Sequence, residues 1–222
     1  MLANIGIPVL ILLFLRNVLM KGLEEERPET SHHLTVKRII GTALAVFALG
    51  ALLGLIAKYA DGSALGLIGS GLGFWIAAAS LLAAWSRTPM AAGLHVLVFF
   101  SAMLSAYYLY SMILLGFFPK SQFIYWGSIA LLSPVCGYTV WFARGAGWLA
   151  AFCAAMPISL LIGEGFSFIY TYSIPKGFVL LLAVFLWIVL PKNHFQRIRV
   201  IPLTAVILFV IEQLELLSIL AG

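Results

Sequence analysis

Two long apolar runs joined by one short polar turn lie between Ile39 and Trp85. The turn reads Lys58-Tyr59-Ala60-Asp61-Gly62-Ser63; Ile39 to Ala57 is 19 residues without a charge and Ala64 to Trp85 is 22. At about 1.5 Å of rise per residue each run reaches about 30 Å as a helix, the thickness of a bilayer's hydrocarbon core. No water in that core can satisfy free backbone groups, so such runs must be helical. The rest of the chain has the same character: 63% of residues are hydrophobic and 9% charged, against about 25% charged in soluble domains. One core cannot absorb that much apolar surface, so lipid must act as the solvent. The net charge of +5 fits basic cytoplasmic loops and requires no nucleic acid.

Further spans follow in order. Leu2 to Met20 is apolar except for Asn4, Arg16 and Asn17, and is long enough to cross if Arg16 snorkels. It has no basic residue before it and no small-x-small cleavage pattern, which does not fit a secretory signal. Residues 21–38 form a charged linker containing Glu24-Glu25-Glu26-Arg27-Pro28-Glu29 and His32-His33. Thr88 and Pro89 are suited to cap and open a helix running from Met90 to Phe118. Phe123 to Phe142 comes next, with a kink expected at Pro134. Ala143-Arg144-Gly145 turns the chain into Ala146 to about Ile169. Ser173 and Pro175 open a short span ending at Leu190, and Val200 to Leu220 is the last. The reading is an all-α polytopic transmembrane helix bundle over residues 39–222. It has seven spans, and residues 1–20 form an eighth.

Lysine and arginine orient the bundle. Segments 16–38, 86–89, 143–145 and 191–199 hold ten of them, and the opposite loops hold three, Lys58, Lys120 and Lys176. This bias places the first set in the cytoplasm and the C-terminus outside an inner (cell) membrane. Trp85, Trp141, Trp148 and Trp187 fall near the inner interface; Tyr59, Tyr125, Trp126, Tyr170 and Tyr172 fall near the outer one. Small residues at helical spacing then let the helices approach: Gly50 with Gly54, Gly69 with Gly73 and Ala77, and Ala146 with Ala150 and Ala154.

Outside the linker every acid falls in the outer half: Asp61, Glu164, Glu212 and Glu215. A charge at mid-bilayer costs about 2.5–3.5 kcal/mol even on the mild insertion scale, so such groups should face the bundle. The functional expectation is an outward-facing polar cavity holding these four acids with Tyr107 and Tyr108. It would bind or carry a cation, a proton or an amine-bearing solute. The alternative is packing ion pairs with Lys58, Lys120 or Lys176, such as Glu164 with Lys176.

No catalytic, metal or cofactor set emerges. His95 reads as a satisfied interior histidine, and Cys136 and Cys153 as packing residues without ligand spacing. Ile68-Gly69-Ser70-Gly71 lacks the first glycine of the rhomboid serine motif, and no histidine is placed to activate Ser70. Glu24-Glu25 is followed by Glu29 where membrane CAAX-type proteases need arginine.

Gly50, Gly54, Lys58-Tyr59-Ala60-Asp61, Gly73-Phe74-Trp75 and Tyr107-Tyr108 together resemble a family of uncharacterised bacterial multi-pass membrane proteins. That resemblance implies a fold type and no activity. In size and hydropathy the chain is also similar to the substrate-binding subunits of energy-coupling vitamin transporters. Two roles follow as expectations: small-solute or ion transport or binding, and a non-catalytic membrane subunit or scaffold of a larger complex. An enzyme acting on lipids ranks third.

Overall fold

The computed structural model describes residues 36–61, 63, 66 and 71–213. The N-terminal run 2–20 and most of the linker lie outside them. Seven principal helices make up the described part, with no strand among its residues. They are α1 (Val36–Tyr59), α2 (Leu72–Ala84), α3 (Pro89–Leu115), α4 (Lys120–Trp141), α5 (Gly147–Gly165), α6 (Ile174–Val189) and α7 (His194–Gln213). A 3-10 turn, Phe142–Arg144, joins α4 to α5, and a single helical turn, Phe168–Thr171, follows α5.

Local chemistry explains most of the boundaries. Thr88 caps α3 with its side chain accepting from the Ala91 N–H at 3.1 Å, and Pro89 occupies the first turn, as the sequence leads one to expect. Gly116 ends α3 in the left-handed region, φ 71, and its N–H returns to the Met112 carbonyl. Ser173 stands at the N-cap of α6, but its side chain makes no capping hydrogen bond.

Two expected spans differ in extent. Within the run from Ala64 to Trp85 the helix α2 covers 13 residues, starting after Gly71, which is extended at its N-cap. Glycine is among the weakest helix formers, less favourable than alanine by about 1 kcal/mol, and this run is rich in it. The last helix starts at His194, six residues before Val200. Segment 191–199 is therefore mostly the basic first turns of α7, anchored by Asn193, whose carbonyl accepts from Gln196 and Arg197. Hydropathy marks where lipid begins, and a helix can continue past that level.

Five segments are long and apolar enough to cross a membrane: Ile39–Tyr59, Pro89–Leu114, Lys120–Arg144, Gly147–Thr171 and His194–Ile211. The helices α2 and α6 are apolar but shorter. This is the architecture of a multi-pass membrane protein, and its exposed surface is correspondingly rich in Leu, Ile and Phe.

The helices run in alternating directions, so the chain's turns gather at two ends. At one end Trp141 Nε1 donates to the Ser86 carbonyl at 2.9 Å, and Gln196 Nε2 donates to the Ala143 carbonyl at 2.8 Å. This is the basic end. The ends of α1, α3 and α5 lie toward the other.

Packing divides around α2. Helix α3 lies between α1 and α4, and α5 lies against α6 and α7; α2 touches α3, α4, α5 and α6. One buried cluster includes Val46, Trp75, Phe99, Met103 and Tyr108; the other includes Ala83, Trp141, Ala154, Leu161, Leu186 and Val200. Glycines bring the backbones together. A Cβ on Gly50 would collide with the Phe99 carbonyl oxygen and one on Gly54 with that of Met103, so the α1–α3 seam requires both. Gly93 and Gly137 do the same for α3 and α4, where an added Cβ would stand 2.8 Å from Pro134 O or 2.9 Å from Ala92 O.

Candidate functional site

The end opposite the basic one holds the described acidic side chains, in two separate settings. The first lies where α1 ends. Lys58 Nζ donates to Asp61 Oδ2 at 2.8 Å, and Tyr107 Oη of α3 donates to the same oxygen at 3.1 Å. The Lys58 ammonium also lies 5.2 Å from the centre of the Tyr107 ring. The i, i+3 spacing brings Lys58 and Asp61 together, and the α1–α3 seam delivers Tyr107. The hydrogen bond from Lys58 holds the Asp61 carboxyl below its ordinary 3.8; partial burial opposes this, and Tyr107 reinforces it. The Asp61 side chain is 40% exposed and that of Lys58 12%. An ion pair this open contributes roughly 0.2–1 kcal/mol.

Tyr108 points away from that trio. It is 4% exposed and packs edge-on against Phe123 at 5.4 Å, with Phe118 and Tyr107 around it. It belongs to the aromatic core, one residue out of phase with Tyr107. Adjacent positions on a helix point about 100° apart, so only Tyr107 of the pair reaches Asp61.

The second setting is Glu164, in the last turn of α5. Its carboxyl lies at the N-terminus of α2, facing the amides of Leu72 and Gly73 and the Lys176 ammonium. Oε2 is buried, with no hydrogen-bond partner among the described residues. Lys176 does not close into a salt bridge with it; among the described residues the only one is Lys58–Asp61. The free amides and the helix dipole favour a carboxylate at a helix start, by about 0.3–1 kcal/mol and up to about 2 when partly buried. From Ala84 at the basic end, 13 residues of α2 reach about 20 Å. Its N-terminus, and Glu164 with it, therefore stand about 20 Å along the bundle from the basic end.

Of the remaining expected residues, Lys120 is exposed at the start of α4. Glu212 lies in the last turn of α7, but its side chain is outside the described residues, as is all of Glu215. The structure thus joins Asp61, Tyr107 and Lys58, and sets Glu164 on the separate α2–α5–α6 contact. The sequence reading missed the tie between Glu164 and the start of α2. The signal available was Gly71 and Gly73, too dense in glycine for an uninterrupted span.

His95 is satisfied as expected: its Nδ1 lies 3.0 Å from Ser86 Oγ, which itself donates to the Leu82 carbonyl at 2.8 Å. Cys153 is buried and Cys136 exposed, both free thiols. No group of His, Cys, Asp and Glu among the described residues is arranged to hold a metal.

No curated protein and no solved structure matches the chain. A family pattern does, across residues 33–220 and therefore across every helix described above, and the chain belongs to that family of unknown function, DUF6518.

Proposed function

We propose that the protein binds or conducts a small cation or proton through the non-basic half of the bundle, with Glu164 as the group that takes it. The observation that carries this reading is the Glu164 carboxyl, held inside a membrane bundle where a short helix begins. Ionisable groups at such depth mark ion and proton paths, and interrupted helices build sites near the bilayer midplane. Lys58, Asp61 and Tyr107 form a polar rim on the same side. In this reading the basic end faces the cytoplasm of a cell membrane and α7 ends outside, in line with the lysine and arginine bias. Glu212 and Glu215, three residues apart on one helix face, would belong to the same half.

The test is proton flux in proteoliposomes loaded with a pH-sensitive dye, driven by a potassium diffusion potential. The wild-type chain should collapse an imposed pH gradient, and Glu164→Gln should abolish that while migrating as a folded species on size exclusion. Flux equal to protein-free vesicles in proton, sodium and potassium gradients alike would remove the proposal.

A further inference from the structure

The basic end carries more cations than the described structure neutralises. Arg144 Cζ lies 4.2 Å from the centre of the Trp85 ring, and its Nη1 reaches the Val189 carbonyl at 3.4 Å. Arg197 Nη2 donates to the neighbouring carbonyl, Ile188, at 2.9 Å, while its Nε is buried with no partner among the described residues. Two guanidinium groups from different elements thus meet at the C-terminus of α6. A helix C-terminus offsets about half a unit charge, so two full charges leave an excess. Arg199 lies 5.4 Å from the centre of the Trp148 ring on the adjoining α5–α7 contact. No Asp or Glu side chain among the described residues lies at this end.

We infer that this end of the bundle is a binding site for the headgroup of an anionic glycerophospholipid, clasped by Arg144 and Arg197 with Arg199 beside them. Arg144 keeps donors beyond the one it spends on α6; Arg197, whose Nη1 also lies 3.4 Å from His194 Nδ1, keeps the second N–H of each terminal nitrogen, and the planar fork matches phosphate oxygens. Trp85 and Trp148 are 53% and 44% exposed, placed as indole rings are at headgroup level. Next to the cations lie apolar side chains open to lipid, Ile188 and Ile198 at 47% and 63% exposure, which would take the acyl chains of the same molecule. Charge and grease adjoin in the order a phospholipid presents them, which a free phosphate would not need. Basic pockets between helices select anionic headgroups on this principle.

Native mass spectrometry of the full chain in detergent tests the assignment. Phosphatidylglycerol and phosphatidylcholine with the same acyl chains are supplied at equal concentration. The wild-type protein should retain phosphatidylglycerol about tenfold over phosphatidylcholine, a difference of about 1.4 kcal/mol. Arg144→Gln with Arg197→Gln should bring the ratio near one, and the corresponding double lysine variant should recover part of it. If the double variant aggregates, the wild-type ratio and the single variant Arg199→Gln carry the test. Equal retention of both lipids by the wild type overturns the inference. That result is also what the chain's own acidic run, Glu24-Glu25-Glu26, would give by filling the site. Displacement of the lipid by millimolar inorganic phosphate overturns it as well, by reducing the site to one for a free anion.

Discussion

Gly73 lies directly beneath Glu164: a methyl group on Gly73 would stand 3.2 Å from Glu164 Oε2 and 2.7 Å from Val179 Cγ2. The contact joins three helices, α2, α5 and α6, at the point where α2 begins. Val179 is β-branched and stiff, so it cannot swing away. Gly73→Ala should destabilise the protein by about 1–3 kcal/mol through overpacking. Thermal unfolding in detergent would show the loss, and adding Val179→Ala should return part of it. An unchanged transition in Gly73→Ala would mean that the contact gives way freely.

Glycines on the inner and outer faces should respond with opposite sign. Gly54→Ala drives a methyl into the Met103 carbonyl and should lower stability by about 1–3 kcal/mol as α1 is pushed off α3. Gly41 and Gly127 have open space where a Cβ would go. Their alanine variants should be neutral or more stable by about 0.5–1 kcal/mol, the ordinary helical cost of glycine. Comparing the three unfolding temperatures is sufficient.

Gln196 should be the residue at the basic end least tolerant of loss. It is 4% exposed; its Nε2 donates to Ala143 O, and its Oε1 accepts from the Lys192 N–H at 3.1 Å. Gln196→Met keeps the volume but leaves a buried carbonyl and a backbone N–H without partners, each costing about 1–3 kcal/mol. Faster proteolysis between Phe142 and His194 in this variant would report the loosened turns; wild-type resistance would speak against the bridge.

Asp61 gives the stability of the α1 terminus an acid dependence of known sign. Its folded-state pKa is lowered from 3.8 by the Lys58 and Tyr107 hydrogen bonds. The stabilisation is therefore present in full above the ordinary carboxylate value and is lost as pH falls below 3.8 through the folded value. Removing Lys58 as Lys58→Met should move the Asp61 carboxyl upward, towards or past 3.8, read from its carboxyl carbon shift by NMR. Tyr107→Phe should move it upward by less. An Asp61 titration unaffected by either change would show that the trio does not persist in solution.

Much of this fold was legible because a bilayer imposes simple rules. An uncharged run of bilayer length must be a helix, and a charged turn must end it. That logic locates α1, α3, α4 and α5 to within a few residues and identifies Thr88-Pro89 as a helix start. It works less well where length and hydropathy disagree with backbone chemistry. Ala64 to Trp85 satisfies the length rule, yet Gly71 leaves the helical region and α2 begins at Leu72. His194, Arg197 and Arg199 read as a loop, yet they lie on α7.

The site was legible only in its parts. Lys58 and Asp61 pair through local spacing, which sequence displays; Tyr107 joins them from 46 positions away, through the Gly50 and Gly54 seam. Tyr107 and Tyr108 look alike in a string of residues, and only the rotation of α3 sends one to Asp61 and the other into the aromatic core. Gly93 and Gly137 are isolated letters until α3 and α4 are seen to touch through them.

The sequence by itself determined that this chain is a bundle of membrane helices with most of its cations gathered at one end and, outside the charged linker, its acids at the other. Hydrophobic length and charge placement are one-dimensional properties, and the bilayer reads them directly. Tertiary structure alone decided that α2 is short and central, and that Glu164 meets its N-terminus. It also decided that Arg144 and Arg197 converge on the last carbonyls of α6. Each of those facts depends on how far one helix is rotated and shifted against another. Backbone approach at a few glycines sets that, and no local pattern records it.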